Sequence, residues 1–137
     1  MNAATRRRVN DGDIVADASA VIALLVGEPF LRFEPQRLGN ALISAVNLSE
    51  VLARLLEIGM PESEADTAVA KLNLRVVAFD EPQASATARL RSVTRHAGLS
   101  LGDRACLALG NALGCAVVTA DRAWARLDLG VQVILIR

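Results

Sequence analysis

Asp17, Glu50, Asp103 and Asp121 each stand where an apolar run ends or a helical pattern begins. Asp17 closes the run Asp13-Ile-Val-Ala-Asp17, and Asp121 lies two residues past the end of Cys115-Ala-Val-Val-Thr119. Glu50 sits near the start of the helical pattern that follows Ala41-Leu-Ile-Ser44, and Asp103 in the first turn of another that opens after Ser100. Carboxylates gathered at one edge of a sheet repel one another unless a cation shares them. A carboxylate-only donor set selects a hard ion, Mg²⁺ or Mn²⁺, over zinc. The chain has one histidine, His96, and two cysteines, Cys106 and Cys115, whose spacing fits no CxxC pattern, which argues against structural zinc. Each acid also has a purely structural reading. Asn47-x-x-Glu50 and Ser100-x-x-Asp103 look like capping boxes, Asp121 could cap a helix, and all would be favoured by a helix dipole.

The elements that must position these acids alternate along the chain. Apolar strands are expected at Asp13–Asp17, Ala41–Ser44, Arg75–Phe79, Cys115–Thr119 and Val131–Ile136. Between them the 3.6-residue period and the Gly and Pro punctuation predict helices. These cover Ala20–Val26 with Ser19 as a possible cap, Leu31–Leu38, Val46–Ile58, Pro61 to about Leu72, Pro82 to about His96, Ser100–Leu113 and Asp121–Leu127. Alternation of this kind argues for an α/β fold with a mainly parallel central sheet. Ligands of such sheets bind outside the carboxyl ends of the strands, where the four acids are expected.

The composition sets bounds on this reading. A chain of 137 residues suits one domain, read as residues 13–137 behind a flexible basic extension, 1–12. Hydrophobic residues make up 53% and the mean hydropathy is +0.35, in keeping with a sheet covered on both faces. No apolar run approaches the roughly 18 to 20 residues of a membrane span. The start Met1–Asp13 lacks the apolar stretch of a secretory signal, so a cytoplasmic place is expected. Net charge is zero, so any nucleic-acid binding must come from a local patch. Arg104 and Arg122, each following a candidate ligand, are the nearest choices for phosphate contacts, with a structural role as the alternative. Arg6, Arg7 and Arg8 could form a basic arm. Trp124 either packs a helix on the sheet or stacks a base.

Four segments, in order, resemble the motifs of the PIN-domain ribonucleases, and in particular of VapC-type toxins. Asp13-Ile-Val-Ala-Asp-Ala-Ser-Ala-Val-Ile-Ala-Leu-Leu25 looks like the opening motif, and Val46-Asn-Leu-Ser-Glu50-Val-Leu like the second. Leu99-Ser-Leu-Gly-Asp103-Arg-Ala-Cys-Leu-Ala looks like the third, and Val118-Thr-Ala-Asp121-Arg-Ala-Trp124 like the fourth. The likeness spans roughly residues 13 to 136. It implies a three-layer α/β/α fold with an acidic metal pocket built from Asp17, Glu50, Asp103 and Asp121. Ser19, Asn47 and Thr119 fall on the family's supporting polar positions, from which they could orient carboxylates or ordered water.

The resemblance further implies Mg²⁺-dependent, or Mn²⁺-dependent, hydrolysis of RNA that leaves 5′-phosphate and 3′-hydroxyl ends. In that scheme Asp17 and Asp103 are direct ligands, Glu50 and Asp121 complete the site, and one of the latter two helps deprotonate the attacking water. It implies a homodimer held inactive by an antitoxin, with Leu52, Leu55 and Leu56 as possible interface and an antitoxin arginine entering the carboxylates. Other readings stay open at this point. One is a PIN-like module that binds RNA or protein without cutting, and another a metal nuclease acting on DNA. A third, a phosphoryl-accepting receiver, wants a lysine after a late strand, whereas Lys71 precedes the third.

Overall fold

The computed structural model describes residues 9–137. The expected basic arm at Arg6–Arg8 lies outside the described residues.

Five short strands form one sheet in the order β3-β2-β1-β4-β5, and every pairing is parallel. They are β1 (Ile14–Ala16), β2 (Leu42–Ser44), β3 (Arg75–Val77), β4 (Ala116–Thr119) and β5 (Val133–Leu135). The helices are α1 (Ala18–Val26), α2 (Ala45–Glu57), α3 (Glu62–Ala70), α4 (Glu81–Thr94) and α5 (Leu101–Leu113).

Side chains of a strand alternate between faces, and the two cores follow that alternation. Ile14 and Ala16 of β1, Ile43 of β2 and Val118 of β4 pack with Val21, Val51, Leu55 and Ala65, so α1, α2 and α3 cover one face. Val15, Leu42, Val77 and Val117 pack with Cys106, Leu107, Leu109 and Trp124, which puts α5 on the other face with α4 outside it through Leu90. The result is the expected three-layer α/β/α architecture. Gly110 lets α5 come close to the sheet, since a β-carbon there would lie 2.5 Å from Val117 Cγ1.

Three expectations change in detail. The helix expected over Leu31–Leu38 shrinks to a 3₁₀ turn at Pro35–Leu38. The amides of Leu31 and Arg32 both donate to the Ile136 carbonyl, at 2.7 and 3.0 Å, and so are committed to the last strand's extension. Asp121–Leu127 is likewise not an α-helix but a 3₁₀ turn, Arg122–Arg126, anchored by the fully buried Trp124. Packing, not base stacking, is therefore the role of Trp124. The long helix expected to reach His96 is α-helical to Thr94, whose hydroxyl donates back to the Leu90 carbonyl at 2.6 Å, and goes on as a 3₁₀ turn, Arg95–Ala97, to the left-handed Gly98.

At the amino edge of the sheet, Arg75 holds Asp13 in a two-bonded ion pair, at 3.1 Å and 2.7 Å. Arg75 also donates to the Asn40 carbonyl at 2.8 Å. The guanidinium beside Asp13 holds its carboxyl below the usual range, against the opposing effect of burial.

Candidate metal centre

The chain leaves β1 for β2 on one side and returns to β4 on the other. The crevice between the carboxyl ends of β1 and β4 is the point where strand order reverses, the place such sheets use for ligands. Asp17 and Thr119 stand on the two lips of that crevice. The Asp17 amide donates to the Val118 carbonyl at 2.9 Å, which continues the ladder one step past the strand.

Asp17 is only 4% exposed. Its Oδ2 accepts from the hydroxyls of Ser19 at 2.6 Å and Thr119 at 2.8 Å. Those hydroxyls in turn accept from the backbone amides of Ala120 at 2.9 Å and Asp121 at 3.1 Å. A hydroxyl has one proton to give. With both protons directed at Asp17, the 3.1 Å approach of the Ser19 and Thr119 oxygens is a contact of acceptors. Ser19 is thus not the cap of Ala20–Val26. Asp17 holds the N-cap position in extended conformation, and Ser19, inside α1, orients its carboxylate.

Ser44 caps α2 by accepting from the Val46 amide at 3.2 Å, so Asn47-x-x-Glu50 is not the capping box its spacing suggests. Asn47 is fully buried. Its Nδ2 donates to Glu50 Oε1 and to the Gly102 carbonyl, both at 3.0 Å, and its Oδ1 has no protein partner. The Ser100–Asp103 box is real: the Asp103 amide donates to Ser100 Oγ at 3.1 Å and Asp103 Oδ2 accepts from the Ser100 amide at 3.0 Å.

Burial pushes the Asp17 carboxyl above its ordinary range, against its two hydroxyl bonds, and the Asp103 charge raises it further. Glu50 is also raised, by burial first, then by the charges of Asp17 and Asp103. The thiol of Cys106, fully buried on α5, is pushed well up by burial and by the same three acids. Asp17, Glu50 and Asp103 therefore share one electrostatic neighbourhood.

Asp121 reaches this group through its backbone only. Its carboxylate caps its own turn, accepting from the Ala123 amide at 3.0 Å, and it is exposed. As the side chains lie, no three acidic, histidine or cysteine groups among the described residues are close enough to chelate one ion. The donor chemistry nevertheless fits a hard cation. Two carboxyls are raised by burial and by the charge of neighbouring acids, and Asn47 Oδ1 is an additional buried oxygen without a protein partner.

Other expected contacts resolve as structure. Arg104 donates to the Thr87 carbonyl at 3.2 Å, toward α4, so it is not placed for a phosphate, whereas Arg122 is exposed. Of the three leucines expected at an interface, Leu55 is core and Leu52 half-buried, and only Leu56 is exposed. Cys106 and Cys115 are free thiols, both buried. Two features were not foreseen. Gly102 lies against the Glu50 carboxylate, and only its place directly before Asp103 hints at a role. A cleft of about 450 Å³ opens beside Glu50, lined by Ser19, Glu28, Arg54, Glu57 and Arg137 among others. A larger cavity, about 560 Å³, lies at the opposite edge near Asn10–Ile14 and Leu113–Ala116, away from the carboxylates.

The fold is similar to that of solved toxin–antitoxin proteins. The DNA-bound VapBC of Salmonella typhimurium matches with a TM-score of 0.71 at 19% identity, over 91% of this chain and 98% of that one. A toxin–antitoxin complex from Klebsiella pneumoniae matches with a TM-score of 0.67 at 16% identity, over 91% and 98%. VapC20 of Mycobacterium tuberculosis, described as a toxin cleaving the sarcin-ricin loop, gives 0.62 at 18%, over 88% and 99%. No curated protein sequence matches significantly. The family model described as PIN domain matches residues 14–129, a span that holds all four acids and the β1–β4 crevice, and the chain belongs to the PIN-domain family.

Proposed function

We propose that this chain is a divalent-metal-dependent endoribonuclease, acting in the cytoplasm as the toxin of a toxin–antitoxin pair. The observation that carries the reading is Asp17. It is a buried carboxylate at the strand-order switch point, fixed by two hydroxyls and facing the like charges of Asp103 and Glu50. Such an arrangement is costly in a protein that never binds a cation there.

Asp17, Asp103 and Glu50 are the residues that would hold the ion, Mg²⁺ with Mn²⁺ as its substitute, and Asp121 would join them by turning from its cap. The ion supplies Lewis-acid activation of water and neutralises charge on the phosphodiester. Ser19 and Thr119 keep the Asp17 carboxylate in one orientation, without a search over rotamers. Asn47 does the same for Glu50. Glu50, held by Asn47 beside the other acids, would help take a proton from the attacking water.

The partners follow from the same surface. Several of the similar solved structures are toxin–antitoxin complexes. In the cleft beside Glu50, Glu28 and Glu57 are paired with Arg137 at 4.0 Å and Arg54 at 3.4 Å, so Glu50 is the carboxylate there that would receive an arginine from an antitoxin peptide. We take the active form to be a homodimer. The competing reading, a PIN-like module that binds RNA or protein without cutting, draws support from Asp121, whose carboxylate is engaged in its cap.

Cleavage of labelled cellular RNA by the purified, partner-free chain separates the two. Activity that requires Mg²⁺, stops in EDTA and is lost in Asp17→Asn and Asp103→Asn is the expected result. RNA bound but left intact, with Mg²⁺ present, would favour the binding module.

A further inference from the structure

Gly102 occupies the second position of α5, between Leu101 and Asp103, and is buried. Glycine is a poor helix residue, and nothing in its backbone requires it: 102 has ordinary helical conformation, unlike Gly98 and Gly114 at φ +64° and +65°. The reason lies across the groove. A β-carbon at 102 would overlap the Glu50 carboxylate, meeting Oε1 first, with Cδ 2.5 Å and Oε2 2.9 Å away. The same glycine's carbonyl accepts from Asn47 Nδ2, whose other proton goes to Glu50 Oε1. Turning the Asn47 amide over would set its oxygen against two acceptors, so this orientation is fixed by its partners.

We infer that Gly102 is a positioning residue for the metal centre: the missing side chain is the space in which the Glu50 carboxylate lies beside Asp103. α5 gives up helix propensity at this position so that α2 can bring its acid to the shared pocket. Asn47 is the clamp that holds the carboxylate in that space, joining α2 to the first turn of α5 at the residue preceding Asp103. The inference rests on the proposed metal site and assigns to Gly102 a part in it that no acid can supply. Any larger residue at 102 drives Glu50 outward, to solvent, while leaving Asp17 and Asp103 in place.

The test is a double-mutant cycle over Gly102→Ala and Glu50→Ala, read by Mg²⁺ titration calorimetry and by metal-free Tm. Gly102→Ala is expected to weaken Mg²⁺ binding by about 10- to 100-fold, the range found when an orienting partner of a ligand is lost. In the Glu50→Ala background the same substitution should leave Mg²⁺ affinity unchanged and raise the metal-free Tm, because alanine then enters a vacated space with better helix propensity. If Gly102→Ala alone fails to fold, a folded double variant with a Tm above that of Glu50→Ala still supports the inference. A double variant that does not fold overturns it, since something other than Glu50 then excludes the β-carbon. Equal Mg²⁺ affinity in wild type and Gly102→Ala also overturns it. A wild type that binds no Mg²⁺ overturns the metal reading beneath it, and is distinguished from those failures because the Tm cycle is run without metal.

Discussion

Thr119 donates its hydroxyl proton to Asp17 Oδ2 at 2.8 Å across 102 positions of sequence, from the end of β4 to the end of β1. The Thr119 hydroxyl oxygen in turn accepts from the Asp121 amide at 3.1 Å. One hydroxyl thus transmits the backbone of the fourth motif to the carboxylate of the first. Thr119→Val keeps the shape and removes both functions. It should destabilise the fold by about 1–3 kcal/mol, the usual cost of leaving buried polar groups unmade, and lower cleavage about 10- to 100-fold. Urea denaturation and initial rates report the two effects, and Thr119→Ser should restore most of each. A Thr119→Val protein with wild-type rate would remove Thr119 from the site.

Asp17→Asn should separate stability from activity. Burial and the Asp103 charge disfavour ionised Asp17 in the metal-free fold, so its folded pKa stands above the unfolded value. A raised acid costs stability when the pH is above the folded pKa, and the cost fades as pH falls through it. Asparagine offers the same acceptor to Ser19 and Thr119 without the charge. Metal-free Asp17→Asn should therefore be more stable than wild type near neutral pH, by on the order of 1 kcal/mol, and the gain should vanish on acidification toward 3.8. Saturating Mg²⁺ should reverse the ranking, because only wild type gains stability from the bound ion. Thermal melts at several pH values, with EDTA or Mg²⁺, provide the check.

The opposite sign holds at the amino edge. Arg75 lowers the Asp13 pKa, so this pair stabilises the fold above the unfolded value of 3.8 and the benefit is lost as pH falls through the depressed folded value. Both side chains are largely covered, at 25% and 17% exposure, and the contact is bidentate. Arg75→Met should cost about 1–3 kcal/mol at neutral pH and flatten the acid limb of the stability curve, with RNA cleavage unchanged. A variant as stable as wild type at pH 7 would show that the pair contributes nothing net.

Much of this is legible in the sequence. β1 and β4 are short, wholly apolar runs that end on polar residues, and a strand buried on both faces permits little else. Asp17 and Thr119 could therefore be placed at one edge from sequence. The Ser100–Asp103 box was readable because capping is local, its partners three residues apart. Asn47 shows the limit of such local reading. Its spacing to Glu50 mimics a box, and only the packing of α2 on α5 reveals that its second proton goes to Gly102, 55 residues away. Gly102 carries no signal beyond its place before Asp103, since the function of an absent side chain depends on what approaches it from elsewhere. The difference over Leu31–Leu38 has a similar origin: local periodicity does not register that the Ile136 carbonyl, from the far end of the chain, holds the backbone at Leu31 and Arg32.

Asp121 is the acid whose role the geometry leaves most divided, and two substitutions distinguish its parts. Its carboxylate caps the Arg122–Arg126 turn through the Ala123 amide, and this turn carries the buried Trp124. Asparagine caps as well as aspartate but brings no charge; alanine does neither. Asp121→Ala should therefore lose about 0.5–2 kcal/mol of stability, whereas Asp121→Asn should stay close to wild type in urea. If Asp121 also turns inward to serve the metal centre, Asp121→Asn must lower Mg²⁺-dependent cleavage at least tenfold despite its intact fold. Should Asp121→Asn cleave at the wild-type rate, the acidic centre would consist of Asp17, Glu50 and Asp103 alone, with the fourth motif contributing Thr119 and a capped turn.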